Sequence, residues 1–256
     1  MSPRIQRLFV TGASTGLGHG LADHYARAGA HLGLVARRES LLRDLEKEWT
    51  ARGARVEVYA GDVADTDFMA RSAAEYVEAA RGVDLVFANA GVGIANRVLE
   101  GEAREIAWLM NVNVIGVTNT IVPFVPHMVE QGSGVLCAVG SMAGHQPLPG
   151  RAAYSASKAC VKTFMSALRM DLHGTGVHAM TLCPGFVDTA LTVDNPSMMF
   201  VIEVSEAVRY MVSAIEARKK TYTFPWQMNL LKEVMARVPE PVIRRLAPPA
   251  RTRSSS

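Results

Sequence analysis

Seven short apolar runs, separated by stretches of helical periodicity, restrict this chain to a narrow set of folds. They lie at residues 8–10, 31–36, 55–60, 85–88, 134–139 and 177–182, with 221–224 as the seventh. Strands that are apolar without alternation must be covered on both faces, and a parallel sheet between two helix layers achieves this. The periodic stretches, such as 16–28 and 153–172, supply those layers. The expected architecture is α/β, a three-layer doubly wound Rossmann fold on a parallel sheet of about seven strands. Neither a repeat nor an internal linker interrupts the pattern, so residues 1–256 are expected to form one domain, with 225–256 as a helical tail. With 49% apolar residues, the chain can bury one large core. Ser205 followed by Glu206 reads as the cap of a helix running through Ala217.

Charge and cysteine content exclude several function classes. The net charge of +3 is too mild for a nucleic-acid partner, and no basic-aromatic pattern suggests one. Cys137, Cys160 and Cys183 lack metal-ligand spacing and read as reduced, mostly buried thiols. No apolar run reaches the roughly 18 residues that span a bilayer. The first strand follows Met1 too closely for a signal peptide. These readings make a cytoplasmic protein the expectation.

Residues 11–18, Thr-Gly-Ala-Ser-Thr-Gly-Leu-Gly, sit where the first strand turns into the first helix. Gly12, Gly16 and Gly18 would let the backbone approach a pyrophosphate closely, and the helix N-terminus adds free N–H groups and partial positive charge. Ser14, Thr15 and Leu17 complete the turn. An ordinary tight turn is the competing reading, and position in the first strand–helix unit favours the cofactor. An acidic residue at the end of the second strand would favour NAD through a ribose hydroxyl. Here that strand ends in Arg37 and Arg38. Guanidinium groups suit a 2′-phosphate, so NADP(H) is expected in preference to NAD(H), with Arg37 as first contact and Arg38 as support.

Tyr154 and Lys158 are four residues apart, on one face of a helix. A phenol, with its pKa of about 10, can protonate a forming alkoxide, and a nearby ammonium would lower that pKa for the reverse step. Ser141 ends the preceding apolar strand, where ligands gather in parallel sheets, and its hydroxyl could bind a substrate oxygen. Asn113 lies on the helical stretch before that strand; by itself it reads as a helix asparagine satisfied by backbone or water.

Together these motifs resemble the short-chain dehydrogenase/reductases over residues 5–224. The matching residues are the glycine turn, Asp62-Val63, Asn89-Ala90-Gly91, Asn113, Ser141, Tyr154 with Lys158, and Pro184-Gly185 followed by Val187 and Thr189. The resemblance implies that Asp62 and Val63 contact adenine and that Asn89, Ala90 and Gly91 border the cofactor. It also implies that Pro184, Gly185, Val187 and Thr189 flank the nicotinamide, and that Lys158 binds its ribose. Asn113 would order a water relaying protons through Lys158, and Ser141 would orient the substrate carbonyl. Hydride would pass between nicotinamide and a carbonyl or alcohol while Tyr154 acts as general acid/base. Two departures stand out: Ala88 replaces a frequent second asparagine, and the C-terminus is an amphipathic helix where many members build a tetramer contact. A homodimer through the helices near Asn113 and Tyr154 is implied, with a homotetramer less expected. A 3-oxoacyl thioester reductase and a cofactor-sensing protein without turnover are the alternatives.

The substrate is expected to be a hydrophobic small molecule. Leu191, Val193, Met198, Met199, Phe200, Val201 and Ile202 form an apolar segment after Thr189, to which Met142, Leu148 and residues 92–94 add. His145 is expected to be a loop histidine without a catalytic part. In the tail, Trp226, Leu230 and Val234 repeat at helical spacing, as do Met228, Leu231, Met235 and Val238. From residue 219 onward there are eight basic and two acidic residues. The stripe is expected to pack on protein, with weak peripheral membrane contact as the minor alternative.

Overall fold

The computed structural model describes residues 5–93, 98, 101–189, 200–235, 237, 238 and 241. The seven strands are β1 (Arg7–Thr11), β2 (His31–Ala36), β3 (Arg55–Ala60), β4 (Leu85–Ala88), β5 (Gly134–Val139), β6 (Val177–Pro184) and β7 (Thr221–Phe224). All pair in parallel, in the order β3-β2-β1-β4-β5-β6-β7. The sequence order thus runs outward from β1 on one side and from β4 on the other. Consecutive crossovers leave for opposite faces at the β1/β4 boundary, and a crevice opens beyond the strand ends there.

One helix layer contains α1 (Gly16–Ala26), α2 (Glu39–Ala51) and α8 (Val204–Glu216); their Leu21, Trp49, Met211 and Ile215 join one buried apolar cluster. The opposite layer contains α3 (Thr66–Ala80), α4 (Ala103–Met110), α5 (Gly116–Ile121), α6 (Val125–Gln131) and α7 (Ala152–Asp171). Its cluster includes Met69, Tyr76, Ile121 and Met165. Both faces of the sheet are therefore covered, as its unbroken apolar strands require. Helix α9 (Trp226–Met235) follows β7.

Several expectations need correction. Helices α4 to α6 run on as one stretch, Ala103–Gln131, joined by a π turn at Asn111–Ile115 and a 3-10 turn at Val122–Phe124. That stretch is long and apolar enough to cross a membrane by length and composition, contrary to the expectation of no such run. Polar residues interrupt it in sequence without interrupting the helix. Half of its most apolar window is buried inside the fold, as a core helix requires. Helix α8 begins before Ser205: Glu203 holds the extended N-cap position, without a side-chain capping bond, because Ile202 is still paired alongside Val187. Cys137 and Cys183 are buried thiols outside any disulfide, whereas Cys160 is exposed on α7.

Candidate active site

The crevice at the β1/β4 boundary is a cavity of about 370 Å³. Its floor is the glycine turn. Gly12 and Gly16 have φ of +67° and +62°, in the region that glycine enters without penalty. A side chain on Gly12 would strike the Asn89 amide at 2.7 Å, and one on Gly18 would strike the Gly12 carbonyl at 2.4 Å. Asn89 explains that closeness: its Nδ2 donates to the carbonyls of Thr11 and Gly12 at 3.1 and 3.3 Å. Thr11 answers from the other strand, its Oγ1 accepting the Asn89 and Ala90 N–H groups, each at 3.2 Å. Sequence reasoning passed over Thr11, although its place just before the first glycine was the available signal.

Of the expected cofactor contacts, Gly12, Ser14, Thr15, Gly16, Leu17, Arg37, Arg38, Asp62, Val63, Asn89, Ala90, Gly91, Tyr154, Lys158, Pro184, Gly185, Val187 and Thr189 all line this cavity. Gly18 stands behind it as a packing residue. Gly61, Val112, Val139 and Gly140 line it as well and carried no sequence signal. Thr15 occupies the N-cap of α1 without a side-chain capping bond, and the first turn carries no acid. Those first-turn N–H groups therefore face the cavity uncapped, as an anion site requires. An open cradle, uncapped N–H groups and two arginines at the far end fit a dinucleotide. Arg38 donates to the Ser14 hydroxyl at 3.3 Å, and Arg37 is exposed. Val187 and Thr189 are held over the cradle by the bridge to Ile202, with the Thr189 methyl 3.4 Å from where a Gly16 side chain would begin.

Ser141, Tyr154 and Lys158 meet beyond the end of β5. Ser141 caps a short 3-10 turn, its Oγ accepting the Ala143 N–H at 3.1 Å. The Ser141 side chain stands close enough to the Tyr154 hydroxyl to lower its pKa. Gly144 lets this turn press on α7, since a side chain there would lie 2.7 Å from the Lys158 backbone. Lys158 is buried and donates to the Val139 carbonyl at 2.9 Å, with its Nζ 5.9 Å from the centre of the Tyr154 ring.

The electrostatics differ from the sequence expectation. Burial raises the Tyr154 pKa, which the Ser141 hydrogen bond and the Arg151 charge partly offset, while Cys183 pushes it up further. Lys158 is shifted as well. Its own pKa falls to about 8, because the buried ammonium has lost its water.

Asn113 lies outside the cavity lining and is fully buried in the π turn. Its Oδ1 accepts the Val92 N–H at 2.8 Å, and its Nδ2 donates to the Val92 carbonyl at 2.9 Å and the Ser157 hydroxyl at 3.1 Å. The side chain is thus a clamp that ties α7 to the loop after β4. His145 contacts Lys162 at 3.3 Å through Nδ1. Phe200 and Val201 are exposed and Ile202 is buried; Ile94, Leu191, Val193, Met198 and Met199 lie outside the described residues.

The short-chain dehydrogenase family model matches residues 6–199. The chain belongs to the short-chain dehydrogenases. It is accordingly an NAD(P)-dependent oxidoreductase of the kind that acts on CH–OH and C=O groups. Among relatives, an uncharacterized oxidoreductase of Myxococcus xanthus is 39% identical over 91% of this chain and 92% of its own length. A hydroxysteroid 11-beta-dehydrogenase 1-like protein of Xenopus tropicalis is 31% identical over 86% and 79%. Of solved structures, a short-chain dehydrogenase from Sphingobium yanoikuyae in complex with NADPH has a TM-score of 0.79 at 25% identity, over 91% of this chain and 96% of its own. A family member from Burkholderia phymatum in complex with NAD shares the fold at a TM-score of 0.83 and 24% identity, over the whole of both chains.

The lowered Lys158 pKa has a stability consequence. A lysine whose pKa falls from 10.5 to about 8 on folding opposes folding while both states are protonated. That cost is relieved as pH rises from about 8 towards 10.5, where the unfolded chain still holds the proton and the folded one does not. Without cofactor, wild type should gain on Lys158→Met by on the order of 3 kcal/mol between about pH 7 and pH 10, read by urea unfolding. A difference flat across that range would contradict the buried ammonium.

Proposed function

We propose that the chain is an NADPH-dependent reductase, or the reverse dehydrogenase, acting on a carbonyl or alcohol of a hydrophobic small molecule. The observation that carries this reading is the convergence of Tyr154 and Lys158 on the cavity above the glycine turn, with Ser141 beside Tyr154 just outside the lining. When bound, the nicotinamide supplies or accepts the hydride. The chain's own residues bind, orient and move a proton. The glycine turn and α1 N-terminus would hold the pyrophosphate, and Asp62 and Val63 the adenine. Pro184, Gly185, Val187 and Thr189 would flank the nicotinamide.

Ser141 stands beside the Tyr154 hydroxyl, so a substrate oxygen between them would meet two donors. In reduction, Tyr154 gives its proton to the forming alkoxide; its raised pKa keeps that proton in place at neutral pH. Oxidation needs the phenolate, which Arg151 and the hydrogen bond from Ser141 stabilise. Lys158 would hold the nicotinamide ribose. Asn113 acts by anchoring the loop that carries Val92 to α7, and its part in a proton relay belongs to this proposal alone.

Arg37 and Arg38 support NADP(H) over NAD(H), because two guanidinium groups at the cavity's end match a 2′-phosphate and an acid for a ribose hydroxyl is missing there. Titration with NADPH and NADH should show NADPH bound more tightly. Arg37→Asp should shift the ratio toward NADH by more than tenfold, about 1.4 kcal/mol or more. An unchanged ratio would remove Arg37 from phosphate recognition.

Assembly follows from the long helical stretch. Trp108, Ile115, Val122 and Val129 are exposed along Ala103–Gln131 at seven-residue intervals, which keep them close to one face. That face supports a dimer through the helices near Asn113. Sedimentation velocity of the full chain should give a dimer, and a monomer at micromolar concentration would contradict it.

A further inference from the structure

Helix α9 has two apolar faces. One docks on the fold: Met228 is buried, and a side chain on Gly185 would lie 2.5 Å from its Cγ. The other does not. Trp226, Leu230 and Val234, at i, i+4 and i+8, are 68%, 58% and 53% exposed. Within the chain, the expected packing of the tail on protein is made by the Met228 face, and the Trp226 face is left exposed. The reason is geometric: the two sets lie on opposite sides of one helix, and the sheet edge can cover only one of them. A helix apolar on both sides calls for a second apolar surface.

We propose that the Trp226–Leu230–Val234 face of α9 docks on an anionic lipid surface. Charge complementarity selects that occupant. The 15 residues after Pro241 carry Arg244, Arg245, Arg251 and Arg253 and no acid. An exposed Trp/Leu/Val stripe followed by uncompensated arginines joins the two attractions that interfacial helices use, apolar insertion and headgroup charge. Tryptophan favours the interfacial depth in particular. The location gives the contact a consequence. Gly185, on which Met228 sits, lines the cofactor cavity, and its N–H donates to the Phe224 carbonyl at 2.8 Å at the root of α9. Lipid contact would thus fall within about one helix diameter of the cavity. On the substrate reading above, an apolar substrate could enter from the lipid phase; the docking itself rests only on α9 and the basic tail.

The test is flotation of the full chain with phosphatidylcholine vesicles, with and without phosphatidylglycerol. Binding should be at least about tenfold tighter on the anionic vesicles and should weaken as salt rises. Trp226→Ser/Leu230→Ser should abolish flotation while NADPH binding, which these residues do not touch, is retained. Neutralising the four arginines to glutamine should remove the preference for anionic vesicles. Absence of flotation, or flotation that survives both sets of changes, would overturn the proposal. A full chain that stays off vesicles but changes oligomeric state in the Trp226→Ser/Leu230→Ser variant would also overturn it, assigning the stripe to a second copy. None of these outcomes depends on turnover.

Discussion

The contact between the turn after β1 and the turn after β4 is the constraint on which the site depends. The two strands are neighbours in the sheet and far apart in sequence, and their following segments diverge to opposite faces. Left alone, the divergence would be an open gap lined by unpaired backbone groups. Asn89 and Thr11 close it at the base by exchanging hydrogen bonds across it. Glycine at positions 12 and 18 permits the approach, because any side chain there would overlap backbone or the Asn89 amide. What remains above the contact is a cavity whose floor is backbone N–H groups rather than side chains, the surface a phosphate group needs.

Burial then decides the chemistry on the far wall. Desolvation raises the Tyr154 pKa and lowers that of Lys158, so both groups are pushed toward their neutral forms. Such a pair is an acid that keeps its proton and a base held near physiological pH. Ser141 and Arg151 are the groups that stabilise the phenolate. Lys158 is held instead by the Val139 carbonyl, at the end of the strand that also leads to Ser141.

Much of this was legible in the sequence, for identifiable reasons. Apolar stretches marked every strand, and five of the seven spans agree with the structure end to end: 31–36, 55–60, 85–88, 134–139 and 221–224. Strand order was not legible from pattern, because nothing local tells β4 to pair with β1 instead of β3. The cavity residues were legible through motif order. Gly144 and Arg151 were not, since a glycine or an arginine gains meaning only from what it touches. The loop clamp made by Asn113 was not legible either, because its three hydrogen bonds run to Val92 and Ser157, distant in sequence. The α8 cap was misplaced because pairing of Ile202 with Val187, a tertiary contact, set where the helix could start.

Transfer of label from deuterated NADPH is the most direct test of the chemistry assigned to this cavity. The protein is incubated with NADPH carrying deuterium at nicotinamide C4, on either face, and a panel of apolar ketones and aldehydes; the alcohols are then weighed. Deuterium on the carbinol carbon is expected with wild type, and its loss in Tyr154→Phe with NADPH still bound. Label transferred equally well by Tyr154→Phe, or NADPH bound tightly with no label reaching any carbonyl across a broad panel, would contradict Tyr154 as the proton donor in the first case and the reductase reading in the second.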